Sequence, residues 1–113
     1  MISSEIVNKL RLELRRGALP LAVLARLRRE HYGYSLRKEM YAKGLEIDEG
    51  TLYPLIRRLE KQGLLSSEWR FDENRKKRYY RISTLGEEVL GSLETEWRLL
   101  NESIDTILKE DTK

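Results

Sequence analysis

Apolar residues recur along this chain in two rhythms, and the switches between them mark out its elements. Ile6, Leu10 and Leu14 step by four, which predicts a first helix over 3–15 with Ser3 or Ser4 able to cap it. Arg15 and Arg16 suit the dipole at its end, and Gly17 can terminate it. A second helix is expected from there to about Glu30. Pro20 falls in its first turn, where a missing N–H matters least, and Leu21, Leu24, Ala25 and Leu27 form its buried face. "HYGY" (31–34) reads as a turn with Gly33 as its flexible point. A third helix follows from about Ser35, with Leu36 and Met40 inward and Gly44 just past its end. "LEID" (45–48) alternates too briefly for more than one or two β-bridges.

In "EGTLYPLIRRLEKQGLL" (49–65), Leu52, Leu55, Ile56 and Leu59 fall at i, i+3, i+4 and i+7, one buried helical face. The opposite face is Gly50, Pro54, Arg57 and Lys61, flanked by Tyr53 and Arg58. Asp48 can cap this helix, Pro54 sits deep enough to bend its first turn, and Gly63 closes it.

The rhythm then changes to two. Leu65, Trp69 and Phe71 share one parity, Tyr80 and Ile82 another run, and the polar loop "DENRKK" (72–77) joins them into a β-hairpin with Arg75, Lys76, Lys77 and Arg78 at its tip. The adjacent Tyr79 and Tyr80 must point to opposite faces, and Tyr80 is assigned to the core, leaving Tyr79 free. Ser83 or Thr84 caps a last helix, with Glu87 near the third position of a capping box. Along that helix Leu90, Leu93, Trp97, Leu100, Ile104 and Ile107 step by alternating threes and fours, a coiled-coil seam. The apolar residues elsewhere leave nothing to cover so long a stripe, so a second copy is the expected partner. "EDTK" (110–113) is expected to fray.

Charge sharpens this division. The net charge is only +3, but residues 1–48 carry ten Lys/Arg against six Asp/Glu, residues 49–83 nine against five, and residues 84–113 three against eight. A basic body with an acidic tail segment implies that the body meets a polyanion. The 113 residues fit one domain, or one domain with an appendage. No apolar run reaches membrane-spanning length, and no membrane partner is expected. "ALPLAVLA" (18–25) resembles a signal-peptide core only superficially: Glu5 and Glu13 precede it, Pro20 interrupts it, and Leu24 and Leu27 continue it at helical spacing. There is no cysteine, which excludes disulfides and thiolate metal sites and is compatible with a reducing cytoplasm. His31 is the single histidine, most simply a solvated or capping side chain beside its turn, so neither a histidine metal site nor a catalytic triad can be assembled. No cofactor and no enzymatic activity is expected.

Three helices followed by a hairpin describe a winged helix-turn-helix: mainly α, with a two-stranded β wing and a C-terminal dimerisation helix. Residues 1–83 form the expected DNA-binding domain, with 1–16 an accessory N-terminal helix, and 84–113 the dimerisation helix. Each oddity of 49–61 then has a use. Gly50 lets backbone approach a phosphate, and free N–H groups at the helix start favour an anion. Thr51 can donate to a phosphate or meet a thymine methyl, and Tyr53 offers a flat ring with a hydroxyl. Arg57 can reach a guanine edge or a phosphate, and Pro54 fixes the turn. Read blandly, Gly50 and Pro54 only shape a helix start, Tyr53 packs on a neighbouring element, and the arginines and the wing cations are solvated surface.

"YGYSLRKEM", "IDEGTLYPLIRRLEKQGLLSSEW" and "RKKRYYRISTLGEEVL" closely resemble the PadR family of transcriptional regulators, from about Gly17 to Leu90. The resemblance implies a cytoplasmic homodimer that represses promoters bearing inverted repeats. It implies a C-terminal helix that dimerises, often helped by the N-terminal one, and release from DNA by small aromatic or cationic molecules. Glu49 to Arg57 would be the recognition residues, with Tyr34 and Lys38 on the preceding helix as backbone contacts. The short C-terminal part resembles the compact subfamily, which limits room for a dedicated effector domain. Trp97 either fills the dimer core or, paired with its copy across a two-fold axis, sandwiches a flat or cationic ligand. The rival to a DNA-binding regulator is a winged-helix protein-interaction module without a DNA target.

Overall fold

In the computed structural model, which describes residues 3–110, the Ser3 hydroxyl accepts from the Ile6 amide at 3.4 Å and opens α1, Ser4–Arg26. The two helices expected over 3–30 are one. Gly17 does not take the left-handed conformation that would end a helix, as Gly44 and Gly63 do. Pro20 removes one helical donor, but Leu19, Val23 and Leu24 are buried on one side and hold the helix through it. The "HYGY" segment is not simply a turn: His31–Tyr32 is a strand, β1, and Gly33 already belongs to α2, Gly33–Ala42.

The α2 helix ends in a Schellman closure, with Gly44 at φ 92° and the Leu45 amide donating to the Met40 carbonyl at 2.9 Å. "LEID" forms no bridge. It is an irregular link whose Ile47 side chain is buried and whose Ile47 carbonyl accepts from Arg37 Nε at 2.9 Å. It leads into α3, Glu49–Lys61, which buries Leu52, Leu55, Ile56 and Leu59 as their spacing predicts. Gly63, at φ 81°, repeats the Schellman closure with Leu64 donating to Leu59 at 2.9 Å.

The wing is longer and tighter than the sequence suggests. Strands β2, Leu65–Asp72, and β3, Arg75–Ile82, are joined by Glu73 and Asn74 alone, both at positive φ (52° and 62°). That is the two-residue turn whose twist matches a right-handed hairpin, so most of "DENRKK" is strand. The sheet has three antiparallel strands in the order β1-β3-β2, because His31 and Tyr32 add onto the free edge of β3 opposite Tyr80 and Tyr79.

Ser83 caps α4, Thr84–Glu110: its hydroxyl accepts from the Gly86 amide at 3.0 Å and donates to the Gly63 carbonyl at 2.6 Å. Glu87 lies one residue past the capping-box position and pairs instead with Arg28 at 3.2 Å. The expected fraying of "EDTK" concerns mainly 111–113, which lie outside the described residues.

The core joins the second half of α1 to α2, α3, the sheet and the first turns of α4, with Val23, Leu24, Leu27, Leu36, Leu52, Ile56 and Leu90 fully enclosed. Leu90 is therefore a core residue of the chain itself, 1% exposed, and is not available to the expected seam; Leu93 is half-buried against the same core. Beyond Leu93, α4 leaves the body. So does the first half of α1, whose Ile6, Leu10 and Leu14 are exposed. The α4 stripe thus has an uncovered apolar neighbour within its own chain, contrary to the expectation that none was left over. The two projecting helices stretch the radius of gyration to 16.8 Å, against about 13 Å for a compact domain of this length.

Candidate nucleic-acid interface

The amphipathicity of α3 that builds the core also displays its outer face. Pro54, Arg57, Arg58 and Lys61 are exposed, and among the described residues none of these three cations has a carboxylate partner. At the helix start the residues engage one another. Thr51 donates its hydroxyl to Asp48 at 2.8 Å, which holds the Asp48 carboxyl below its ordinary range. Glu49 pairs with Arg37 at 3.1 Å. Gly50 is exposed, with only the Asp48 carboxylate close to where a side chain would begin. The Tyr53 ring leans on Gly33: a Cβ there would fall 2.8 Å from it. Gly33 is thus bare because Tyr53 occupies its space, not because a turn must flex. Burial raises the Tyr53 hydroxyl above its ordinary value.

On α2, Tyr34 and Lys38 are exposed, with the Lys38 ammonium 5.9 Å from the Tyr34 ring centre. Tyr41, one turn further along the same stripe, is exposed as well. The i, i+4, i+7 spacing of Tyr34, Lys38 and Tyr41 was the signal that could have found it.

The wing divides its row of cations between two faces. Pairing places Trp69 opposite Arg78 and Phe71 opposite Lys76, so these four share the face that also carries the core residues Leu65 and Ile82. Arg75, Lys77 and Tyr79 lie on the other. Lys77 is only 14% exposed, 3.8 Å from both Asp72 and Glu73 and 4.3 Å from the Tyr32 ring centre. Arg78 binds Glu60 of α3 at 3.0 Å and the Ser67 hydroxyl at 2.8 Å, a brace between wing and helix. The expected tip of four displayed cations is therefore corrected to two: Arg75 and Lys76 are exposed and have no carboxylate partner among the described residues. Tyr80 is half-buried against the core as expected, and its hydroxyl is raised by burial. Tyr79 is not free. It donates to Asp72 at 2.5 Å, which pushes its hydroxyl up to about 12, and Arg70 lies over its ring while bound to Glu30 and Glu68.

Between α3 and the wing's inner face runs a cleft of about 350 Å³, walled by Tyr34, Tyr53, Arg57, Trp69 and Arg78 among others. Trp69 was read from the sequence only as part of a strand; its position in this wall depends on hairpin register. His31 is not solvated. Its side chain is mostly buried, with Nδ1 3.1 Å from the Ser35 hydroxyl and Nε2 3.0 Å from Glu39, whose carboxyl is held low chiefly by Arg26. Among the described residues no group of His, Cys, Asp and Glu is arranged to hold a metal ion, and no helix is long and apolar enough to cross a membrane.

Residues 21–92 match the model of the PadR-like transcriptional regulators. The chain belongs to that family. It is a family of regulators rather than of enzymes, and the winged-helix fold recurs in its solved members. A PadR family regulator from Eggerthella lenta is 43% identical, with 96% of each chain covered and a TM-score of 0.89. A PadR-like regulator from Bacillus cereus is 26% identical over 85% of this chain and 96% of its own, with a TM-score of 0.76. A transcriptional regulator of Mycobacterium tuberculosis is 38% identical over 69% of this chain and 74% of its own.

In this PadR-like chain the remaining site expectation, Trp97, borders an apolar groove of about 660 Å³ between α1 and α4, with Leu14, Leu21, Leu93, Leu100 and Ile104 along it. Trp97, Leu100, Ile104 and Ile107 each keep about half of their surface exposed.

Proposed function

We propose that this PadR-like protein is a cytoplasmic, homodimeric, sequence-specific DNA-binding regulator that represses from an inverted-repeat operator. One observation carries the reading. The cations packed between the elements of the body are neutralised internally, Arg26 by Glu39, Arg70 by Glu30, Arg78 by Glu60 and Lys77 by Asp72. Arg57, Arg58 and Lys61 on α3 and Arg75 and Lys76 on the wing are left without a carboxylate partner among the described residues, and Arg57 lines the cleft between the two elements. Unpaired cations beside an exposed helix face suit a polyanion with a groove.

The mechanism is geometric. In it, α3 enters the major groove, Arg57 takes a guanine edge or a phosphate, and Gly50, Thr51, Tyr53 and Pro54 shape the approach of the helix start. Glu49 is oriented by Arg37, Tyr34 and Lys38 lie along the backbone, and Arg75 and Lys76 meet phosphates beside the wing. The stripe Leu93, Trp97, Leu100, Ile104, Ile107 and the uncovered half of α1 join two copies, and two-fold symmetry makes the operator an inverted repeat with half-sites about one helical turn, ~34 Å, apart. A planar or cationic effector between paired Trp97 rings would change the dimer angle and shift the population away from the DNA-competent spacing.

The test is a titration against labelled DNA from upstream of the protein's own gene, beside a shuffled control, at two salt concentrations. Tighter, salt-sensitive binding to the native fragment supports the reading; equal weak binding to both contradicts it.

A further inference from the structure

We infer that Phe71 is a wedge, carried on the wing into the minor groove, where it opens one base step beside the α3 half-site. The inference rests on the DNA-binding reading above. Phe71 is 79% exposed, the most exposed of the large apolar side chains among the described residues. It does not sit on a floppy loop. It lies on β2 one pair before the two-residue turn, paired in register with Lys76, on the face that looks toward α3 with Trp69 and Arg78. The ribbon beneath it is fixed at its base by Leu65 in the core and along its length by Arg78 bridging to Glu60 and Ser67.

The charges around Phe71 suit one kind of surface. Lys76, directly opposite, and Arg75, next to the turn, have no carboxylate partner among the described residues. The tip's own carboxylates, Asp72 and Glu73, are drawn to Lys77 on the other face, each at 3.8 Å, and Asp72 also accepts from Tyr79. An apolar ring with Lys76 beside it on the same face, Arg75 at the turn on the other face, and the tip's carboxylates turned to that other face suits a base step flanked by phosphates. A minor groove about 6 Å wide admits a ribbon tip and an inserted side chain, not a helix. Aromatic and aliphatic wedges of this kind unstack a base step and kink the duplex toward the major groove. The easiest steps to open are pyrimidine–purine ones, so the wing confers preference for TA or CA/TG at a position where no side chain reads a base edge.

The experiment uses the full chain and a duplex carrying its binding site, with 2-aminopurine placed in turn at each position of the flank the wing covers. Binding is read by anisotropy, unstacking by 2-aminopurine fluorescence, and bending by end-to-end energy transfer, in the same samples. The wild type should brighten the probe at one step and bend the duplex by roughly 20–90°. Phe71→Ala should bind about tenfold more weakly, with the brightening and the bend lost, and Phe71→Leu should keep part of both. Phe71 packs against little of the protein, so an unchanged melting temperature verifies the fold of each variant. A wild type that binds without brightening any position, or a Phe71→Ala protein that brightens and bends as the wild type does, overturns the wedge and leaves the DNA-binding reading standing. A wild type that fails to bind any fragment removes both.

Discussion

Leu90 and Leu100 occupy the same heptad stripe of α4, yet they should fail in different ways when cut to alanine. Leu90 is 1% exposed within its own protomer, whereas Leu100 keeps 49% of its surface open beside the α1–α4 groove. Removing a fully enclosed leucine should cost about 2–5 kcal/mol of folding stability, transfer and cavity together. For Leu100 the surface still to be covered is about half a side chain. Full burial of a leucine is worth ~1.5–3 kcal/mol, so covering that half contributes roughly 0.7–1.5 kcal/mol per copy. Two-fold symmetry doubles it to about 1.5–3 kcal/mol, a ten- to hundredfold weakening of the dimer in Leu100→Ala. Sedimentation across a concentration series reads the dimer constant, and urea melts at two protein concentrations separate folding from association. Leu90→Ala should lose stability at every concentration, and Leu100→Ala should lose it mainly where the dimer dissociates. A Leu100→Ala protein with an unchanged dimer constant would refute the assignment of this stripe to the interface.

Other outcomes follow from the same geometry. Arg75→Ala and Lys76→Ala should each lower the salt dependence of DNA binding by about 0.9 in log–log slope, while Lys77→Ala, already offset by Asp72 and Glu73, should change it much less. Alanine for glycine in a helix ordinarily stabilises by ~0.5–1 kcal/mol, but Gly33→Ala should reverse the sign. Its methyl would lie 2.8 Å from the Tyr53 ring, and such overpacking costs about 1–3 kcal/mol in a urea melt. Glu30 and Glu39 are held below their ordinary value of 4.5, by hydrogen bonds from Arg70 and Arg26 respectively. The unfolded chain therefore takes up protons first, and the stability these groups contribute is present above 4.5 and lost as pH falls through their folded values. Melting temperatures measured down this range should fall, less steeply in Glu39→Gln.

Much of this was readable in the chain, and the parts that were not share a cause. The α3 helix, its closing Gly63 and the hairpin were legible because their periodicities and stop signals agree with the tertiary packing. Gly17 and Pro20 misled because two weak breakers lost to the buried row Leu19, Val23 and Leu24 on the same helix. Strand β1 has two residues and no periodicity, and it exists because β3 offers an edge. Lys77 and Arg78 looked like displayed cations because their partners, Asp72, Glu73 and Glu60, are brought to them by hairpin register and by the packing of the wing on α3. The heptad stripe of α4 reads the same whether its partner is the protomer's own core or a second copy, so the sequence could not show that Leu90 belongs to the first.

The most direct test of the account is the affinity of the double variant Arg57→Ala, Lys76→Ala for the native upstream fragment at two salt concentrations. Both side chains are exposed and hold no carboxylate partner among the described residues, so the melting temperature should not move. The account predicts a loss of at least about tenfold in affinity and a salt slope lower by roughly one to two units. An unchanged Kd with an unchanged slope would mean that DNA does not lie across α3 and the wing.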